Sequence, residues 1–340
     1  MYIDWEVTGT MDAKVEEILE NGDILVVEPT THAKMVLPKE AVENPTLLKT
    51  SKIKIGKPVW SLLHIHQKGV VTLHFQKSSL NNLKNIKKFY IVGGEPLYIK
   101  EHYEFLKLIS NTDYAKNIYI EYNTNLTNIP KNIIDLWKKF KGVLLGVSID
   151  GYGKILEYQR YPANWDQLYK NLIRINEFVK NGLPIRYDLP VKEGEYSSAA
   201  WLAFTITPLN VFHFPDFVKW KLEESSLDAF GVTSKPIVNY HMCHSPAHYN
   251  IKNMPDNLKK LVEDTYSKFL DYSKNKYDKK IHNHIEKMLT SIIKFMYSKA
   301  GNEKHWSEFI DHTLKLDDIR KQSIAESIPE YKGIFYDYKK

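Results

Sequence analysis

Lys88-Phe89-Tyr90-Ile91-Val92-Gly93-Gly94-Glu95-Pro96-Leu97 is an apolar run that passes without a break into a Gly-Gly-Glu-Pro turn. It reads as a buried strand that ends in a site. Two glycines let backbone approach a ligand where a Cβ would collide, and a carboxylate placed directly after them can take a ligand ammonium. Gly-Gly-x-Pro is also an ordinary way to turn a strand into a helix, and the four residues alone do not choose between the two readings.

Outward from this stretch the chain alternates. A helical pattern over 98–110 leads to a strand, Ile118-Tyr119-Ile120-Glu121-Tyr122, that ends at Asn123-Thr124-Asn125-Leu126-Thr127. A second helix leads to Val143-Leu144-Leu145-Gly146-Val147-Ser148-Ile149-Asp150-Gly151. Each strand closes on polar residues, as expected of a parallel α/β barrel or half-barrel whose ligands sit at the carboxyl ends of the strands. Beyond Trp165 the rhythm continues. A helix over 167–181 aligns Leu168, Leu172, Ile175 and Phe178 on one face with Gly182 just past its end. A strand at 184–187, an exposed loop at 191–198, a buried strand at 201–207 and a sixth at 228–233 follow, and from Met254 the pattern is helical with lysine-rich, solvated faces.

These residues resemble the radical S-adenosylmethionine superfamily, in particular its phage-rich twitch-domain group. Gly93-Gly94-Glu95-Pro96 is similar to that family's aminoacyl-binding turn, and Thr124-Asn125-Leu126-Thr127 to its TNGT element. Ser148-Ile149-Asp150-Gly151, with Glu157-Tyr158-Gln159-Arg160-Tyr161-Pro162 and Trp165, is similar to its SIDG…EYxRYPxxW element. Fainter matches run through Leu209-Asn210, Met254-Pro255 and Leu316-Asp317-Asp318-Ile319-Arg320, so the resemblance spans roughly residues 86 to 335. It implies a partial (β/α) barrel over 80–340. It also implies a nucleoside pocket in which Gly93, Gly94 and Glu95 hold the amine, Thr124 and Asn125 the adenine side, and Ser148, Asp150 and Arg160 the ribose or carboxylate. A phage origin would place the protein in the host cytoplasm.

The chain departs from the family at the decisive point. A radical enzyme holds a four-iron cluster with three thiolates at CxxxCxxC, and this chain has one cysteine, Cys243. Radical chemistry and a cluster are therefore not expected, and S-adenosylmethionine, if bound at all, would be bound without one.

Residues 1–79 read differently. Two apolar runs flank Glu20-Asn21-Gly22, a strong hairpin signal. A third strand lies at 32–37, and 59–66 and 70–75 form a last hairpin around Gln67-Lys68-Gly69. Val59, Ser61, Leu63 and Ile65 alternate with Trp60, Leu62, His64 and His66, and Val71, Leu73 and Phe75 with Thr72, His74 and Gln76. A three-strand meander, a crossing segment and a final hairpin describe a small five-stranded OB-type barrel. Gly9…Lys14-Val15…Ile18…Gly22, Val36-Leu37-Pro38 and Lys54-Ile55-Gly56-Lys57-Pro58-Val59 resemble the S-one RNA-binding domain, which implies single-stranded RNA or the ribosome as partner. Trp60, His64, His66 and His74 are then candidates for stacking, and Lys14 and Lys34 for phosphate. A rival alignment sets Val71, Phe75 and Ser78 where the radical family's three cysteines stand, which makes the stretch a decayed cluster loop; only about fifteen residues then separate it from Gly93.

Composition bounds the rest. The chain has 340 residues, ample apolar content, and 47 basic against 41 acidic side chains for a net charge of +6, compatible with a polyanion partner and with a plain lysine-rich surface. No run of about eighteen apolar residues and no signal-peptide layout occurs, so a cytoplasmic protein without a membrane partner is expected. His241-Met242-Cys243-His244-Ser245-Pro246-Ala247-His248 invites zinc, but neighbouring Cys243 and His244 cannot easily face one ion, and no metal site is assigned. Three functions remain: an RNA-binding protein on a reused radical-enzyme scaffold that also offers a docking surface to a protein, a pseudo-enzyme binding a nucleoside, and a cluster-free enzyme for which no acid/base pair can be named.

Overall fold

The computed structural model describes five short N-terminal strands as backbone (14–18, 24–27, 34–37, 62–65 and 71–74), then residues 86–91, 94–186, 192, 195–231 and 237–337. The N-terminal strands are β1 (Lys14–Ile18), β2 (Ile24–Val27), β3 (Lys34–Leu37), β4 (Leu62–Ile65) and β5 (Val71–His74). β1, β2 and β3 form an antiparallel meander in which Val27 pairs with Lys14 on one side and Lys34 on the other. β4 and β5 form an antiparallel hairpin, with Leu62 opposite His74, Leu63 opposite Leu73, His64 opposite Thr72 and Ile65 opposite Val71. The meander and the hairpin are separate sheets; no strand pairing closes them into the expected five-stranded barrel among the described residues.

The rest of the chain builds a mixed α/β fold on one six-stranded parallel sheet. Its strands are β6 (Lys88–Ile91), β7 (Tyr119–Thr124), β8 (Gly142–Ser148), β9 (Leu183–Pro184), β10 (Ser197–Ile206) and β11 (Asn239–Met242). The order is β11-β10-β8-β7-β6, with β9 pairing the start of β10. Apart from short β9, spatial order follows chain order with no reversal. The sheet is singly wound, an arrangement compatible with a partial barrel. Every residue of β8 from Gly142 to Val147 is buried, the continuous apolar run of a strand covered on both faces. β6 alternates half-buried and buried, as an edge strand does. A Cβ on Gly142 would stand 2.6 Å from the Tyr119 ring and 2.8 Å from the Ser197 carbonyl, so the close approach there requires glycine.

Helices fill the connections: α1 (Lys100–Ser110), α2 (Ile133–Trp137), α3 (Gly153–Gln159), α4 (Trp165–Lys180) and α5 (Phe214–Glu223). α6 (Asp256–Lys276), α7 (Lys279–Met296), α8 (Glu303–Arg320), α9 (Ile324–Ser327) and α10 (Lys332–Asp337) complete the chain. α4 buries Leu168, Leu172, Ile175 and Phe178, the four residues that its periodicity aligns, each worth about 1.5–3 kcal/mol of transfer free energy. Among the described residues no helix is long and apolar enough to cross a membrane. The chain falls into two compact units, residues 1–147 with 177–200, and residues 148–176 with 201–340.

Two sequence expectations are corrected. Ser197 and Ser198 do not belong to an exposed loop; they open β10 and are buried, because the Ser197 amide joins the Lys141 carbonyl and the Ser198 hydroxyl donates to the Val179 carbonyl. Residues 228–231 are not a strand: Ala229 N–H bonds the Asn176 side chain and Phe230 N–H closes a turn on Leu227, and the last strand is β11.

Candidate functional site

In the first unit, the ends of β6 and β7 are joined by one carboxylate. Gly94 takes φ +55°, open to solvent, and delivers Glu95 as the N-cap of a 3-10 turn, Pro96–Tyr98. Glu95 Oε1 accepts from the Thr124 hydroxyl at 2.5 Å and from Leu97 N–H at 3.3 Å, while Oε2 accepts from Asn125 N–H at 2.6 Å. Thr124 in turn accepts from Leu126 N–H, and Asn125 Oδ1 accepts from the Thr127 amide and hydroxyl. Leu126 is wholly buried at φ +55°, a left-handed conformation that costs an L-residue about 1–2 kcal/mol and that glycine would adopt freely. Glu95, Thr124 and Asn125, grouped by the sequence, are therefore brought together. What joins them is a clamp in which the carboxylate satisfies loop donors, so the strand-to-helix turn accounts for Glu95 as it stands. Gly93 lies outside the described residues.

Behind this clamp sits a polar chain without any sequence motif. His102 on α1 is buried, and its Nε2 lies 2.9 Å from the Tyr122 hydroxyl, which accepts from Trp137 Nε1 at 3.0 Å. His102 Nδ1 is buried with no hydrogen-bond partner among the described residues. Burial alone drives the imidazole pKa from 6.5 to about 3, so His102 is neutral at any physiological pH.

In the second unit, Asp150 organises the ends of β8 and β10. Its Oδ2 pairs with Arg160 Nη2 at 2.6 Å and its Oδ1 accepts from Thr205 N–H at 2.8 Å. Its carbonyl accepts from Gln159 Nε2 and from the buried Asn210 amide. Asn210 also donates to the Thr205 carbonyl at 2.8 Å and accepts from Thr207 N–H at 2.9 Å, fixing the loop after β10. Ser148 closes β8. A further tie links the fainter matches: the Tyr158 hydroxyl donates to Asp317 Oδ1 at 2.8 Å, and Arg320 Nη1 donates to the Tyr158 carbonyl at 3.4 Å while its guanidinium lies over the Tyr161 ring at 5.3 Å. Arg160 Nε is buried with no hydrogen-bond partner among the described residues, a charged donor left over after the ion pair is made.

No protein-family model matches the chain, and no curated protein matches it. The α/β assignment therefore stands on the sheet itself. The donor set does not fit an iron-sulfur cluster: Cys243 is the single thiol of the chain, its Sγ donates to the Ser245 carbonyl, and burial pushes its pKa up and away from the thiolate that a cluster requires. In the histidine-rich stretch, His241 Nε2 meets the Asn239 side chain and the His244 ring packs edge-on against Phe295. Among the described residues no three His, Cys, Asp or Glu side chains are arranged to hold a metal ion. His282 is half-buried and bonded to Ser273.

Of the RNA candidates, Lys14, Lys34, His64 and His74 lie on described backbone, and Trp60 and His66 fall outside the described residues. Sequence reasoning missed His102, Tyr122 and Trp137, whose partners are 15 and 20 residues apart on three different elements. It matched Asp317 and Asn210 by resemblance and gave them no role.

Proposed function

We propose that this chain is a non-catalytic RNA-binding protein, with an OB-like N-terminal module that grips single-stranded RNA and a radical-enzyme-like α/β domain over 80–340 that serves as scaffold. The observation that supports it most is the register of the N-terminal strands. Lys14 and Lys34 fall opposite the same residue, Val27, in the meander, while His64 and His74 sit two rows apart in the hairpin, with the Leu63–Leu73 row between them. Cations that follow phosphates and flat rings that stack on bases are the residue types with which an OB surface binds a single strand.

Equilibrium binding of a labelled single-stranded RNA to the intact protein, measured between 50 and 200 mM salt, tests the reading. Binding that weakens steeply with salt is expected, with a slope reduced in K14Q/K34Q and an affinity lowered about 5- to 150-fold by His64→Ala, the span of ~1–3 kcal/mol per stacked base. An intact protein that leaves the RNA free at 50 mM salt would sink it.

A second reading, a pseudo-enzyme that binds S-adenosylmethionine or a related nucleoside, is favoured by Arg160 Nε at the strand ends, a buried N–H that has no acceptor among the described residues although the guanidinium pairs with Asp150, and that a ligand oxygen would satisfy. The nucleoside at millimolar concentration should then raise the melting temperature of the intact protein but not that of Arg160→Lys. No shift in either rejects this reading. Glu95 gives it little support, because its carboxylate already serves the Thr124, Asn125 and Leu97 donors.

A further inference from the structure

The hairpin of α6 and α7 ends in a lysine-rich tip, where Lys276 lies near enough to Glu223 to help hold its carboxyl below the usual range. Lys274, Lys276, Lys279 and Lys280 are all exposed there, and none makes an ion pair among the described residues. Some surface lysines elsewhere are paired: Lys260 with Glu263 and Asp264, Lys304 with Glu308, and Lys321 with Asp318. Between residues 268 and 287 six lysines face three carboxylates, leaving +3, half of the chain's net charge of +6. One of those carboxylates, Asp278, is occupied as the N-cap of α7, where it accepts from Lys280 and Ile281 N–H.

Placement makes the lysines harder to explain as helix chemistry. Lys274 and Lys276 sit in the last turn of α6, where a cation complements the helix dipole. Lys279 and Lys280 sit in the first turn of α7, where the dipole opposes them, and no acidic residue accompanies them in that turn. The tip is held rigidly by other groups. Buried Ser273 meets His282 Nδ1 at 2.8 Å and its carbonyl accepts from Tyr277 N–H at 3.0 Å. Two tyrosines flank the lysines with their rings fixed: Tyr272 and Tyr277 both donate to Glu223 Oε1, at 2.7 and 2.6 Å, and Lys219 Nζ lies over the Tyr272 ring.

We propose that this tip is a second RNA contact, in which Lys274, Lys276, Lys279 and Lys280 follow the phosphates of a single strand and the half-exposed Tyr277 ring lies beside them to meet a base; the Tyr272 ring, covered by Lys219 and stacked on Phe269, is part of its support. The inference rests on the RNA-binding reading and adds a site within residues 148–340 to it. A preformed cationic tip loses little conformational freedom on binding, and each phosphate that it neutralises releases counterions.

The test uses the intact protein and a labelled single-stranded RNA of about twenty nucleotides, compared with K274Q/K276Q/K279Q/K280Q and with K260Q/K304Q as a charge control. The quadruple variant should stay folded, because its substitutions relieve an unfavourable first turn. Its affinity should fall at least tenfold at 50 mM salt, and the log–log salt slope should become less negative by up to about 3, at ~0.7 per phosphate. The control should stay within about twofold. Unchanged affinity in the quadruple variant, with K14Q/K34Q weakened, overturns the tip and leaves the N-terminal reading standing. The opposite pattern supports the tip and removes the N-terminal module as the RNA site. Equal losses in the quadruple variant and the control overturn the tip, since net charge alone would explain them. An intact protein that binds anionic vesicles and no RNA overturns both.

Discussion

Asp317→Ala should destabilise the protein by about 3 kcal/mol at neutral pH, whereas Asp318→Ala, one residue away, should change stability by less than about 0.5 kcal/mol. The Asp317 carboxylate is buried on α8 and carries two donors from different parts of the chain, the Tyr158 hydroxyl and Ile324 N–H. Removing it leaves both donors buried without acceptors, and the loss falls on the attachment of α9 as well as on α3. Asp318 is 84% exposed and pairs only with Lys321 at the surface, a contact of little net value in water. Burial first, then the hydrogen bond and charge of Asp317, hold the Tyr158 phenol well above its usual pKa, so it remains a donor across the working pH range. Thermal unfolding of the two variants should separate them by about 4 °C, the shift expected of a ~2.5–3 kcal/mol difference in a chain of 340 residues. Equal shifts would mean that Asp317 carries no more of the fold than its exposed neighbour.

The second large effect is a loss of stability in mild acid that traces to His102. The unfolded chain protonates this imidazole near pH 6.5, while burial keeps the folded form neutral down to about pH 3. A base with a lowered native pKa is stabilising above its unfolded value, and that contribution drains away as pH falls from 6.5 toward 3. The loss is about 2 kcal/mol at pH 5 and approaches ~5 kcal/mol near pH 3. Protonation is costly here because Nε2 already faces the Tyr122 hydroxyl and Nδ1 has no acceptor among the described residues to receive a second proton. Urea unfolding of the intact protein and of His102→Gln at pH 8 and at pH 5 isolates this group from the other twelve histidines. The gap between the two proteins should shift by about 2 kcal/mol in favour of the variant at pH 5. A gap that stays constant with pH would show that His102 does not govern the acid response.

Periodicity made much of the architecture legible in the sequence. The runs at 88–91 and 143–147 read as strands, the second buried throughout and the first at the sheet's edge, and the four aligned residues of α4 as its inner face, because burial acts on side-chain spacing that can be counted along the chain. Strand ends were legible too, since Asn, Thr, Ser and Asp interrupt apolar runs where the backbone leaves the sheet. Less local features were not. Ser197 and Ser198 look like loop residues, yet they open a strand because the Lys141 carbonyl and the Val179 carbonyl stand ready for them.

What the sequence determined by itself is therefore the α/β class, the strands β6, β7, β8 and most of β10, the absence of three thiolates for a cluster, and the set of polar residues at the strand ends. Tertiary structure alone decided what those residues do. Glu95 and Asp150 each read as a ligand group in one dimension, because a carboxylate after a strand has no visible partner. In three dimensions Glu95 meets Thr124 and the Asn125 amide, 29 and 30 residues away, and Asp150 meets the Thr205 amide, 55 residues away, as well as Arg160 on the next helix. A buried carboxylate must find such donors wherever the fold brings them, and which donors arrive depends on how the loops pack, a quantity that no local pattern encodes.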